Sequence, residues 1–223
     1  LPMSAHGYDV LNINRSDTIV FIMPAPPGYP LNGLVMPETN VLLTPFGDFE
    51  VDTFLRNAVQ NLEFPIFIDD GAFRGPSKDL LEGQLATIKY LMKGNPARVK
   101  FLPIMVRFQN VNEQAKDLGP YLAETITDLG IEHLVKVVIM ANLSESTSES
   151  ALIEMDNQWL SSIRSLDFDR AIEMKERGQE PDSQFEFPHF DSLGFGLLTM
   201  KWLGVDHGEI ITYSHSGQLV LTK

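Results

Sequence analysis

The alternation of apolar and polar positions divides the chain into short buried runs separated by amphipathic stretches. Residues 17–23 (DTIVFIM) form a continuous apolar run rich in β-branched side chains that stops at PAPPGYP. This predicts a buried strand followed by a proline-fixed loop. Residues 40–46 (NVLLTPF) and 64–68 (FPIFI) predict two more strands, the second ending abruptly at Asp69-Asp70-Gly71. The stretch between them, EVDTFLRNAVQNL, fits two periods: Val51, Phe54, Ala58 and Leu62 suit a helix, whereas Val51, Thr53 and Leu55 suit a strand. The clearest helix follows GAFRGP. There Leu81, Leu85, Ile88 and Met92 recur every third or fourth position, Ser77 offers a cap, and Gly94-Asn95-Pro96 supplies a stop.

Residues 99–108 (VKFLPIMVRF) predict a strand in which Pro103 requires a bulge or a strand end. Pro120 opens a predicted helix carrying Leu122, Ile126 and Leu129 and closed by Gly130. Residues 134–143 (LVKVVIMANL) give the next strand, and Leu152, Met155, Trp159, Ile163 and Leu166 the next helix. Beyond Gly178 an acidic, proline-containing segment leads to a predicted closing hairpin around Ser216-Gly217. Buried strands alternating with amphipathic helices predict an α/β fold, a mostly parallel sheet covered by helices on both faces, with a C-terminal β-hairpin. The expected organisation is an α/β domain over residues 15–146 and a shorter C-terminal region over 147–223 packed on it. In such sheets ligands bind beyond the carboxyl ends of the strands. That rule singles out Asp69, Asp70, Gln109, Asn110, Asn142, Ser144 and Glu145.

Composition narrows the picture. The chain has 223 residues, 43% of them hydrophobic and 21% charged, enough for a globular protein with a core it can bury unaided. It has no cysteine, which excludes disulfides, a thiolate nucleophile and a cysteine-type zinc site. The formal net charge is −13 with lysine and arginine scattered, so nucleic acid is not an expected partner. A small phosphorylated ligand remains admissible, because one local cluster or one Mg²⁺ can override the global field. No apolar run approaches the roughly 18 residues of a membrane span, and the first residues lack the pattern of a signal peptide. A soluble cytoplasmic protein without a membrane partner is expected.

Three short stretches carry candidate chemistry. PFGDFE (residues 45–50) places Phe46, Asp48 and Glu50 at alternating positions. They make either a turn leading into a strand or a ring-and-acceptor edge for a nucleotide. Asp69 and Asp70 supply the hard oxygens that Mg²⁺ prefers, or they belong to a turn at a helix N-terminus. The histidines show no metal-binding spacing, and the acid–histidine pairs in VDHGE and PHFD read as solvated turns. Trp159 and the methionine stripes read as core.

Read in order, residues 40–146 resemble the N-terminal half of ribose-phosphate pyrophosphokinases (PRPP synthetases). FGDFE is similar to that family's F-S-D-G-E stretch, and the segment from Gly75 to Met105 to its P-x-N-D-x-L-M-E-L helix and following strand. VRFQN falls where the family has A-R-Q-D, and LVKVVIMANLSE where it has a strand ending in V-D-L-H-A. The fragment IFIDDGAFRGPS also resembles the ribose-phosphate loop of phosphoribosyltransferases, with Arg74 at the threonine and Pro76 at the second glycine. The resemblance implies a phosphoribosyltransferase-type fold and settles EVDTFL as strand. It implies a nucleotide site of Phe46, Asp48, Glu50, Arg107, Gln109 and Asn110. Asp69, Asp70 and Glu145 become Mg²⁺ ligands, with ATP as ligand or substrate. It further implies a homo-oligomer, with Phe46, Asp48 and Glu50 near a subunit interface.

Departures qualify the implied activity. Ser144 replaces the family's histidine, Asn142 its aspartate, Phe108 the in-register arginine and Asn110 the acid. The expectation is therefore a divergent, shortened relative that binds nucleotide or sugar phosphate in a regulatory or assembly role. An active Mg²⁺-dependent ribose-phosphate diphosphokinase and a purely structural oligomeric protein are the alternatives.

Overall fold

The computed structural model describes residues 7–11, 13, 17–26, 28–60, 65–92, 99–142, 145–146, 149–178, 185–187 and 189–211. Its strands are β1 (Thr18–Pro24), β2 (Gly33–Met36), β3 (Val41–Thr44), β4 (Gly47–Glu50), β5 (Ile66–Ile68), β6 (Lys100–Arg107) and β7 (Val135–Ile139). A short pair, β8 (Glu145–Ser146) and β9 (Phe185–Glu186), stands apart. The helices are a turn at residues 7–10 (α1), α2 (Thr53–Gln60), the 3₁₀ turn η1 (Asp70–Phe73) and α3 (Pro76–Leu91). After them come α4 (Val111–Asp128), α5 (Glu149–Arg164), α6 (Phe168–Gly178) and α7 (Phe190–Trp202).

The central sheet runs β5-β2-β6-β1-β7. β1 is parallel to β6 and β7, and β2 is parallel to β5, but β2 meets β6 antiparallel. The sheet is therefore mostly parallel with one reversal, and helices flank it. Its middle is dry: Ile19 to Met23 on β1 have no exposed surface, and neither do Phe101, Leu102, Ile104 and Met105 on β6. α7 packs against β1, β6, β7 and α4. Two glycines permit that close approach, since a Cβ on Gly196 would stand 2.4 Å from Ile139 Cδ1 and one on Gly119 of α4 2.7 Å from Leu198 Cβ. No helix among the described residues is long and apolar enough to cross a membrane.

Several local expectations need correction. EVDTFL is not a strand beyond Val51: Thr53 begins α2. The buried Asp52 accepts from Leu55 N at 3.0 Å and from the Thr18 hydroxyl at 2.5 Å, which caps the helix and ties it to β1. Leu55 and Val59 are its buried face, while Phe54 is 58% exposed. α4 starts at Val111 and carries Pro120 in its interior. Asn110 caps it, accepting from Glu113 N, and its own N–H donates to Gln114 Oε1, so the proline was not needed to start the helix. α3 begins at Pro76, after Gly75 with φ of 59°. The helix α7 stands where an irregular acidic segment was expected. It is apolar all round and so shows no amphipathic period. The predicted hairpin at Ser216-Gly217 lies outside the described residues, as does Ser144.

Candidate functional site

The reversal between β2 and β6 decides where the candidate residues lie. Gly33 stands opposite Arg107 and Val35 opposite Met105, while Met36 is level with Ile68. Asp69, after Ile68, is thus four positions along the strands from Arg107, about 13 Å at ~3.3 Å per residue. The bridge between Val51 and Phe101 sets the β3–β4 hairpin beside the amino end of β6. Asp69, Asp70, Phe46, Asp48 and Glu50 accordingly lie at one pole of the sheet. Arg107, the last residue of β6, lies at the other, with Gln109, Asn110 and Asn142 beyond the carboxyl ends of β6 and β7. For Glu145 the structure describes only the backbone, in β8.

At the first pole the acids serve the chain itself. Asp70 accepts from Glu38 N at 2.8 Å and Thr39 N at 3.0 Å, fixing the loop that leads into the hairpin. Arg56 donates into the same loop, to Glu38 O at 2.7 Å and Thr39 O at 3.0 Å. Asp69 caps η1 through Gly71 N at 2.7 Å and accepts from the Tyr29 hydroxyl. The Tyr29 hydroxyl first, then the Gly71 N–H, hold the Asp69 carboxyl below the usual range, and the phenol is pushed up to about 12 by the same hydrogen bond. Phe46 sits at the hairpin tip, 47% exposed, with its carbonyl accepting from Lys89 Nζ. Glu50 lies 3.7 Å from Lys100 Nζ, and Asp48 is an exposed residue of β4. Among the described residues no group of three or more histidine and acidic side chains is placed to hold a metal ion.

At the second pole, Gln109 N donates to Asn32 Oδ1 at 2.9 Å, and Gln114 Nε2 donates to the same oxygen at 2.9 Å. The N-terminus of α7 is pinned across the ends of two strands. Asn142 N donates to His189 Nδ1 at 3.1 Å, the Ser192 hydroxyl to Met140 O at 2.9 Å, and Phe108 N to Asp191 Oδ2 at 3.2 Å. An imidazole that accepts at Nδ1 carries its proton on Nε2. Beside this junction a crevice of about 630 Å³ runs along β7 to the ends of β1 and β7. Apolar groups make most of its wall, from Val137 to Ala141 with Leu11 and Leu80. Tyr8, Gln84, Asn142 and His189 supply the polar groups. The Tyr8 hydroxyl donates to Gln84 Oε1 at 2.8 Å, and burial pushes the phenol well above its ordinary value. PHFD is thus no solvated turn. VDHGE is one: Asp206 and His207 pair at 2.6 Å and are both largely exposed.

A match along nearly the whole chain decides the family. The family model for the Memo-like protein matches residues 2–223. The chain belongs to the Memo-like family. A MEMO1 family protein of one Methanococcus maripaludis strain is 24% identical over 223 residues, covering 98% of this chain and 73% of the relative. One from a second strain is 30% identical over 149 residues, 66% of this chain and 50% of the relative. A MEMO1 family protein of Methanocaldococcus jannaschii is 25% identical over 229 residues, with 98% and 73% covered.

Membership in the Memo-like family overturns the resemblance to PRPP synthetases. With it go the divergent pyrophosphokinase function, its active and structural alternatives, and the assignment to nucleotide metabolism. The physical reason is visible in the motifs. A Gly-Asp turn, an acid pair after a strand and a strand–helix order are local solutions that many α/β chains reach independently.

The Memo-like chain also carries a pH-sensitive group at this pole. Burial raises the Asp191 carboxyl above the ordinary aspartate range, against the opposing pull of the Phe108 N–H, Lys175, Arg107 and His189. A raised folded pKa means that the native state holds this proton longer than the unfolded chain. The Asp191 contribution therefore falls as pH rises from the unfolded value through the folded one. Asp191→Asn should flatten that part of the pH–stability profile, read by urea unfolding at several pH values. An unchanged slope would show that Asp191 titrates as in the unfolded chain.

Proposed function

We propose that this protein binds a small amphipathic molecule in the crevice beside β7, with the apolar body of the ligand against Val137–Ala141 and Leu80. The observation that carries it is a concave, mostly apolar wall of ligand-sized volume with a few convergent polar groups, at the carboxyl ends of co-directional strands. Gln84 Oε1 is engaged by Tyr8, which leaves the amide N–H₂ of Gln84 as a donor on this wall. The polar end of the ligand therefore presents an oxygen acceptor.

An environment-sensitive dye, anilinonaphthalene sulfonate, tests the site because it pairs an apolar ring system with an acceptor group. The folded protein should bind it saturably at one site. Leu80→Glu, a substitution at a partly exposed position of the crevice wall, should weaken binding by about 10-fold through lost apolar contact and charge repulsion. Unsaturable fluorescence, or saturable binding that Leu80→Glu leaves intact, would refute it.

A further inference from the structure

We infer that the cleft between the β3–β4 hairpin and α3 is a second binding site, for a small zwitterion with an apolar side chain, the chemistry of an apolar α-amino acid. The cleft encloses about 390 Å³, and the buried side chains of Leu42, Phe73, Leu81 and Leu85 contribute to its lining. One wall is held in place, because Lys89 of α3 donates to the Phe46 carbonyl at the hairpin tip. The hairpin therefore closes the cleft as a fixed element of the fold.

Two charged groups of opposite sign on this cleft make no side-chain hydrogen bond among the described residues. Glu82 Oε1 is buried and has no hydrogen-bond donor; Lys78 Nζ lies 3.4 Å from it, an ion pair by distance but not in hydrogen-bonding geometry. A buried carboxylate oxygen left so is unfavourable until a donor reaches it. A ligand ammonium is such a donor. Arg74, also lining the cleft, acts on the Asp69 carboxylate only through its charge, with no hydrogen bond among the described residues, and its planar fork suits a carboxylate. Complementary charges flanking an apolar floor favour a molecule carrying both signs at one end and a hydrocarbon group at the other. A purely anionic ligand would engage Arg74 but leave the buried Glu82 oxygen without a donor.

Titration calorimetry with L-leucine tests this. Saturable binding is expected, weakened about 10-fold or more by Glu82→Gln and by Arg74→Met, since each removes one charge-assisted contact. The analogues separate the two ends. N-acetyl-leucine, lacking the ammonium, should bind weakly and be indifferent to Glu82→Gln; leucinamide, lacking the carboxylate, should be indifferent to Arg74→Met. Arg74 is exposed, so its variant keeps the test valid if Glu82→Gln proves unstable by circular dichroism. Absence of binding to the folded protein at about 10 mM leucine, or binding that both variants retain in full, would overturn the assignment. Neither result bears on the crevice beside β7, which shares no residue with this cleft.

Discussion

Gly33→Ala should lower the stability of the protein by about 3–4 kcal/mol, which at this chain length corresponds to a fall of roughly 10 °C in Tm. Two causes act together. Gly33 has φ of 142°, a backbone conformation that residues with a Cβ rarely adopt. The Cβ would also stand 2.0 Å from Pro65 O. That carbonyl cannot simply retreat, because it accepts the Leu34 N–H at 3.1 Å and so forms part of the pairing of β2 with β5. The preceding residue, Asn32, is fixed by Gln109 and Gln114, so neither side of the glycine is loose. Gly28→Ala is the control. Gly28 has φ of 76°, but open space surrounds the new methyl, so the loss should be only about 1 kcal/mol. Urea unfolding of both variants measures the difference. Equal losses would show that the chain turns into β2 without the close contact described.

The second large effect is a reversal of sign between two helical glycines. Alanine normally stabilises a helix interior by about 1 kcal/mol relative to glycine. At Gly83 on α3 nothing lies within 4 Å of the new Cβ, so Gly83→Ala should stabilise by roughly that amount. At Gly119 on α4 the methyl would meet Leu198 Cβ at 2.7 Å and Thr199 N at 3.3 Å. Part of that obstacle is the α7 backbone, which cannot rotate out of the way. Gly119→Ala should therefore destabilise by about 2 kcal/mol despite its helix propensity, and Gly119→Val by more. Thermal melts of the two alanine variants should move in opposite directions. A shift of both to higher temperature would mean that α4 and α7 do not approach as closely as this.

How far the sequence revealed this arrangement depended on whether a local signal existed. β1 and β6 were legible because buried strands in a mostly parallel sheet are continuous apolar runs, and β5 and β7 read the same way although they are half-exposed edge strands. α3 and α5 were legible through their apolar spacing, and Trp159 is fully buried as expected. α7 was not, because FDSLGFGLLTMKW is apolar on every side and interrupted by Gly194 and Gly196. Its glycines are where Phe168, Phe190 and Ile139 pack.

Missing α7 also hid the site. His189 and Asp191 in PHFD looked like a solvated turn, and Tyr8 lay in an apparently uninformative N-terminal stretch. The strand-end rule did place Gln109, Asn110 and Asn142 beyond the carboxyl ends of β6 and β7. It joined Asp69 and Asp70 to the same group because sequence carries no mark of the antiparallel step between β2 and β6. The finer expectation of a phosphoribosyltransferase-type sheet rested on the family resemblance alone.

The central claim is that the amphipathic ligand belongs at the carboxyl pole, beside α7, and not on the Phe46, Asp48 and Glu50 edge of the hairpin. Amide chemical-shift mapping of the folded protein titrated with anilinonaphthalene sulfonate tests it directly. The largest shifts should fall on Tyr8, Gln84, Val138 to Asn142 and His189, with Val41 to Glu50 unmoved. Shifts concentrated on Val41 to Glu50 and Asp69 to Arg74, with His189 and Asn142 silent, would contradict the account.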